Sequence, residues 1–269
     1  MKVFAKRLLH SFGYEIRKIS RDPSTANTLP PEDEVIRGPW LSDVLQMANR
    51  SYKPKMLRYY RGKFGDDQRI KYIANFLDLR GLRTLEVGPF EGYHSVLLEK
   101  MGVKENVAIE SRNENLKKCR RIKEKYGLDH TIFVLHDVER LYNGEEQAQF
   151  DGPFDLVFCL GVLYHVPEPA KALTWFRSQA KTLFLGTHYA DAEDGRLRSL
   201  VYTHNGKNYR VIEFHEGGPS HPIAGMSPIS LWPYEKDLLA MIEDAGYSKI
   251  SVLGKDLQNG IPHITIVAE

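Results

Sequence analysis

The sequence predicts a doubly wound α/β fold: a mostly parallel sheet with helices on both faces, an antiparallel last strand, and an N-terminal helical extension. Three observations carry this expectation. From Arg83 onward, short apolar runs alternate with stretches of helical periodicity, the pattern of strands joined by crossover helices. The last two apolar runs, KISVL and HITIV, are separated only by a segment around GKDLQNGIP, too short for a helical crossover, so the final strand should run antiparallel. The chain has 269 residues, 42% hydrophobic and 27% charged, which is enough for one large core plus an extension.

Taken in order, residues 1–20 place Phe4, Leu8, Phe12 and Ile16 on one stripe flanked by Lys2, Lys6, Arg7, Arg17 and Lys18, a basic amphipathic arm. Lys6 and Arg7 interrupt any secretory core segment. Residues 21–40 hold four prolines and read as a linker. Residues 41–82 form a helical extension, with Ser42 capping one helix and Asp66 a second whose buried face carries Ile70, Ile73, Phe76 and Leu77. A domain over 83–269 then follows. RTLEV, NVAIE, TIFVL, FDLVFCL and TLFLGT are its parallel strands, and helices lie over Tyr93–Met101, Asn115–Tyr126 and Ala170–Ser178. An insertion over 189–232 interrupts it, with an Asn205-Gly206 hairpin turn, before a helix near Tyr234–Ala245.

Composition excludes several classes. Collagen-like, mucin-like and wholly disordered chains are ruled out, and no run of about 18 apolar residues is present to span a bilayer as a helix. Two cysteines, Cys119 and Cys159, make no disulfide framework or zinc motif, so the expected setting is the reducing cytoplasm. Charge is uneven: residues 1–82 carry a net +7 and residues 83–269 a net −5. A basic front invites an anionic partner. For the arm three readings stand: packing on its own domain or on a homodimer mate, peripheral contact with an anionic membrane surface, or contact with nucleic acid.

In an open α/β sheet the ligand sits beyond the carboxyl ends of the strands. Here the first strand ends in Glu86-Val87-Gly88-Pro89-Phe90-Glu91-Gly92, and the second in Glu110, 18 residues past Gly92. An acidic residue at that place accepts the hydroxyls of a ribose. The loop lacks the GxGxxG of a pyrophosphate site and the GK[ST] of a phosphate loop, and Glu91 would repel phosphate. An acidic loop suits a cationic or zwitterionic nucleoside, and S-adenosylmethionine, with a sulfonium, an amino group and no phosphate, fits.

These motifs resemble class I S-adenosylmethionine-dependent methyltransferases, over residues 70–190 above all. LEVGPFEGYHS is similar to their first motif, AIES to the acidic motif of the second strand, LHDVE to the third and FDLVFCLGVLYHVPEP to the fourth. GVLYHVPEP, with Tyr93-His94 after the glycine loop, also resembles the type-11 group and the tRNA wobble-uridine carboxymethyl transferases. The resemblance implies a Rossmann-like fold and S-adenosylmethionine as cofactor. It implies Glu86 and the Gly88, Pro89, Phe90, Gly92 turn at the methionine end and Glu110 with Ser111 at the ribose. Asp137 with Val138 would meet the adenine, and Leu160 with Gly161 the reactive face. Phe90 stands where the family has its middle glycine. A purely structural reading stands beside this one: Glu86 and Asp137 as caps, Glu110 as the cap of the following helix.

Methyl transfer needs positioned reactants, and a base only if the nucleophile must lose a proton. Tyr164 and His165 after the fourth strand and His188 after the fifth are the candidate catalytic residues; a histidine held structurally is the rival reading for His165. Cys159, inside a strand, reads as core. Glu213, His215 and His221 in the insertion match no strong metal motif, so no metal is expected. The expected function is methylation of a small-molecule, glycan or lipid-linked acceptor. The alternatives are a tRNA-modifying methyl or carboxymethyl transferase and a noncatalytic nucleoside-binding protein.

Overall fold

The computed structural model describes residues 67–191, 198–221, 223–258 and 260–269. The amphipathic arm, the proline-rich linker and the helix capped by Ser42 lie outside these residues.

Seven strands form the main sheet in the order β3-β2-β1-β4-β5-β10-β9. They are β1 (Arg83–Val87), β2 (Glu105–Glu110), β3 (Thr131–Leu135), β4 (Phe154–Leu160), β5 (Ala180–His188), β9 (Ile250–Gln258) and β10 (Ile261–Ala268). β1 pairs in parallel with β2 and β4, and β4 with β5, whereas β10 runs antiparallel to β5 and β9, as the short final link requires. The order reverses at β1, so the cleft for a ligand opens between the carboxyl ends of β1, β2 and β4.

The sheet is buried on both sides, and β4 shows how one strand serves both. Val157 and Cys159 enter the core shared with Leu173 and Phe176 of α5 (Pro169–Gln179) and Leu238 of α6 (Glu235–Asp244). Leu156, Phe158 and Leu160 point the other way, onto Ile73 of α1 (Gln68–Phe76) and Val96 of α2 (Tyr93–Lys100). α1 thus packs into the same core as the sheet. Its cap is Asp67, one residue later than the expected Asp66: its side chain accepts from the Arg69 amide at 3.0 Å. Ile70 and Ile73 are buried as expected, but Phe76 is 40% exposed, because the helix ends there.

The insertion holds a second sheet, order β6-β7-β8, from β6 (Ser199–His204), β7 (Lys207–His215) and β8 (Ile229–Pro233). The Asn205-Gly206 turn has φ of 48° and 74° and joins directly opposed His204 and Lys207, the mirror-image turn that such a pair favours. Tyr209 and Val211 of β7 join the main core, and the Tyr209 hydroxyl donates to Asp244 of α6 at 2.6 Å. No helix among the described residues is long and apolar enough to cross a membrane.

A buried ion pair ties the β1–α2 turn to the next helix. Lys118 of α3 (Asn113–Tyr126) meets Glu91 of the β1–α2 turn at 2.8 Å, with side-chain exposures of 5% and 0%. Breaking a buried ion pair by removing one member costs about 3–5 kcal/mol, whereas replacing both by apolar groups is tolerated. Lys118→Met alone should therefore lower stability in urea titrations far more than Lys118→Met combined with Glu91→Leu.

Candidate functional site

The turn after β1 is built from left-handed residues. Gly88 has φ 71°, and a Cβ there would lie 2.4 Å from Val162 Cγ2, so only glycine fits against the loop after β4. Gly92, φ 83°, leads into α2. Phe90 keeps a φ of 59°, so the residue that replaces the family's middle glycine keeps a glycine-like backbone. Two bonds hold it there: its N–H donates to Glu110 Oε2 at 3.1 Å, and its carbonyl accepts from Cys119 Sγ at 3.3 Å.

Two carboxylates from neighbouring strands border this turn. Glu86 is 1% exposed; its Oε2 accepts from Ser95 Oγ at 2.6 Å and Asn106 Nδ2 at 2.7 Å, and its buried Oε1 has no hydrogen-bond partner. Burial pushes its carboxyl up to about 7, against the pull of the Ser95 and Asn106 hydrogen bonds. Glu110, at the end of β2, accepts from the amides of Phe90 and Arg112 (2.9 Å) and from Asn115 Nδ2 (3.3 Å); burial raises its carboxyl as well. Neither is a helix N-cap by its side chain. A carboxylate has about four acceptor positions, so Glu110 retains capacity for ligand hydroxyls. The orphaned Glu86 oxygen is free to accept from a donor such as an ammonium.

Glu91 departs from expectation. Its place in the loop predicts an acidic group facing the ligand, yet it is paired with Lys118 inside the turn. Asp137 is the N-cap of α4 (Val138–Tyr142), accepting from the Glu139 amide at 2.9 Å, and Val138 is 8% exposed. Ser111 is half-buried, and Pro89 and Leu160 are buried beside the cleft. Tyr93 and His94 are buried too; His94 Nε2 lies 3.0 Å from Asp67 Oδ2, tying α2 to the start of α1, and burial pushes its imidazole down.

The three candidate catalytic residues come together. The Tyr164 ring centroid lies 4.3 Å from that of His165 and 4.4 Å from that of His188, and the Trp232 indole donates to the Tyr164 carbonyl at 2.7 Å. His165 stands at the end of a short 3-10 turn (Leu163–His165) that follows Gly161, whose φ is 87°. Its Nδ1 donates to Glu216 Oε1 at 3.0 Å, and its side chain is 23% exposed, that of Glu216 2%. Burial would raise the Glu216 carboxyl, but bonds from His165, the Gly225 amide and Ser230 Oγ hold it below its ordinary value, so it is ionised. His188 is set differently. Its Nδ1 donates to the Pro262 carbonyl at 3.1 Å, and burial pushes its imidazole down to about 4, so it is neutral.

Sequence reasoning missed Glu216, Arg112 and Trp232. Arg112 Nη2 donates to the Ala224 carbonyl at 2.6 Å and lies 3.4 Å from those of Gly218 and Gly225. Ser227 of the same segment bonds Glu139 of α4. Residues 216–221 and 223–227 therefore strap the loop after β4 to the turn after β2. A polar HEGG run after a hairpin strand was the available signal, but the His165 partner of Glu216 lies 51 residues away. Among the described residues no cluster of three or more His, Cys, Asp or Glu is placed to hold a metal.

The sheet order, the acidic pair and the glycine turn define a class I nucleoside-binding domain. The family model described as "Methyltransferase domain" matches residues 56–223, and the chain belongs to that family. The N-terminal domain of EvdMO1, solved in the presence of S-adenosylhomocysteine and D-fucose, is 27% identical with TM-score 0.62, covering 84% of this chain and 93% of that one. A tRNA U34 carboxymethyltransferase of Colwellia psychrerythraea is 27% identical over 201 residues, 74% of this chain and 53% of the relative. A ubiquinone biosynthesis O-methyltransferase of Xanthomonas oryzae pv. oryzae is 31% identical over 122 residues, 44% of this chain and 48% of the relative. The chain spans about half the length of these two curated relatives. It carries an S-adenosylmethionine-dependent methyltransferase domain, with S-adenosylmethionine as cofactor.

Two outcomes follow. Glu110→Ala removes charge-assisted bonds, so cofactor affinity should fall by roughly 1.5–3 kcal/mol in titration calorimetry; unchanged affinity would take Glu110 out of the site. Glu86 titrates higher folded than its ordinary 4.5, so its contribution is full below that value and is lost as pH rises through about 7. Thermal melts should show wild type gaining on Glu86→Gln as pH falls from 8 to 5. A gap constant with pH would place the Glu86 carboxyl at an ordinary value.

Proposed function

We propose that this domain methylates a hydroxyl of a small-molecule or glycan acceptor, with His165 as general base. The observation that carries this reading is the His165–Glu216 pair. A buried, ionised carboxylate on Nδ1 fixes the ring and its tautomer and leaves Nε2 as the lone pair that takes a proton. The same carboxylate stabilises the imidazolium that forms. Such a base is superfluous for transfer to an unprotonated amine and useful for a hydroxyl.

Glu86, Glu110 and the Gly88–Gly92 turn are the residues proposed to hold the methionine and ribose ends of the cofactor, which supplies an activated methyl group. Asp137, with one oxygen engaged as a cap, keeps its second oxygen for the adenine edge. Tyr164, His165 and His188 form the wall that orients the acceptor and excludes water. EvdMO1, whose domain was solved with D-fucose, favours a sugar-like acceptor, and the ubiquinone relative favours O-methylation.

A second reading, modification of tRNA, is favoured by the curated relatives named tRNA U34 carboxymethyltransferase and by the basic front of the chain. Labelled methyl incorporation into small-molecule and glycan extracts against total tRNA separates the two; label in tRNA alone would replace the first reading. On the accepted substrate, His165→Asn should cut turnover by about 10²–10⁴ while cofactor affinity stays within twofold. Near-normal turnover between pH 6 and 9 would leave positioning alone to carry the chemistry.

A further inference from the structure

His263 belongs to no role described so far. It lies on β10 directly opposite His188 of β5, so the two side chains share one face of the sheet. Their ring centroids are 5.5 Å apart with planes at 80°. We infer that His188 and His263 form a paired hydrogen-bond-acceptor subsite for hydroxyl groups of the acceptor, selecting a neutral polyhydroxylated ring over an anionic one.

The tautomers follow from the partners. The Pro262 carbonyl can only accept, so the proton of His188 is on Nδ1 and its Nε2 carries a lone pair. His263 Nδ1 lies 3.1 Å from Asp256 Oδ1, a carboxylate oxygen, which gives the same assignment. His263 is 1% exposed, and its Nε2 is buried with no hydrogen-bond partner. A buried acceptor of this kind calls for a donor. Burial above all pushes both imidazoles down: His188 to about 4, with His165 and Arg69 adding to it, and His263 to about 3, with Arg69 and His188 adding to it against Asp67, so neither is cationic at neutral pH.

Position ties this pair to the reacting groups. A Cβ at Gly186 would lie 2.7 Å from Leu160 Cδ2, 3.3 Å from His263 Nε2 and 3.4 Å from Arg69 Cδ. The unpartnered nitrogen is thus beside Leu160, at the end of β4. His188 in turn stacks on Trp232, centroids 5.5 Å apart at 24°, and contacts Tyr164. Two lone pairs repel a carboxylate or phosphate. A hydroxyl pair satisfies both nitrogens without charge.

This inference rests on the proposed hydroxyl acceptor, but its test does not involve His165. Full-length protein labelled with ¹⁵N-histidine and loaded with S-adenosylhomocysteine is titrated at pH 7 with D-fucose, and separately with D-galacturonate, a carboxylate-bearing sugar. Two-bond nitrogen–proton spectra read each tautomer. Both rings should be neutral with the proton on Nδ1. D-fucose should shift both Nε2 signals, and D-galacturonate should bind at least tenfold more weakly. His263→Gln, which keeps an amide near the Nε2 position, should retain the D-fucose response at His188, and His263→Leu should weaken it at least tenfold. An imidazolium or Nε2–H form of His263 would overturn the subsite. So would Nε2 signals unmoved by D-fucose, equal binding of the two sugars, or a His263→Leu titration like wild type. Loss of turnover in His165→Asn bears only on the base, so the two readings fail separately.

Discussion

The carboxylate of Glu110 is the point on which the cleft depends. One oxygen takes the Phe90 amide, and the other takes the Arg112 amide and the Asn115 side chain. The glycine turn after β1, the end of β2 and the first turn of α3 are therefore held by a single group. Burial works against its charge, and three donors work for it. A group so placed shapes the loop before any ligand arrives, and a preformed loop spends less binding energy on its own ordering.

From Arg112 the same connection runs to the other half of the site. Its guanidinium gathers carbonyls of the strap at Gly218, Ala224 and Gly225, and the Gly225 amide bonds Glu216, which orients His165. Glu110 and His165 are linked through a short chain of bonds, with no helix or strand between them. Gly225 is part of this contact: a Cβ there would come 2.3 Å from the His165 carbonyl oxygen. The insertion sheet supplies the backing, since Trp232 of β8 supports both Tyr164 and His188.

Much of the fold was legible because local pattern and final structure agree. β1, β3 and β4 span the apolar runs RTLEV, TIFVL and FDLVFCL, two of which end at a glycine and the other between histidines. The Asn205-Gly206 turn was readable because few other pairs tolerate two left-handed residues in succession. The site was legible only in part. Glu86, Glu110, Tyr164, His165 and His188 were legible as candidates, because strand ends in such sheets face ligands. The pairing of His165 with Glu216 was not, since it joins a β4 loop to an insertion whose path no periodicity encodes. Glu91 misled for a related reason: a charge in a loop is silent about direction until its partner, Lys118 on a helix 27 residues away, is known. α4 escaped notice because it has only five residues, too few for a periodic signal.

Phe90 has a consequence for how such a turn can vary. A non-glycine residue in the left-handed region costs roughly 1–2 kcal/mol, a sizeable share of the 5–15 kcal/mol that keeps a domain folded. The chain tolerates it where Glu110 fixes the amide and Cys119 the carbonyl. Positions 90 and 110 should therefore be coupled: a bulky residue at the first is better tolerated with an acceptor at the second. A lineage that lost the acid would be driven back to glycine at the turn, so the two positions should change in a fixed order.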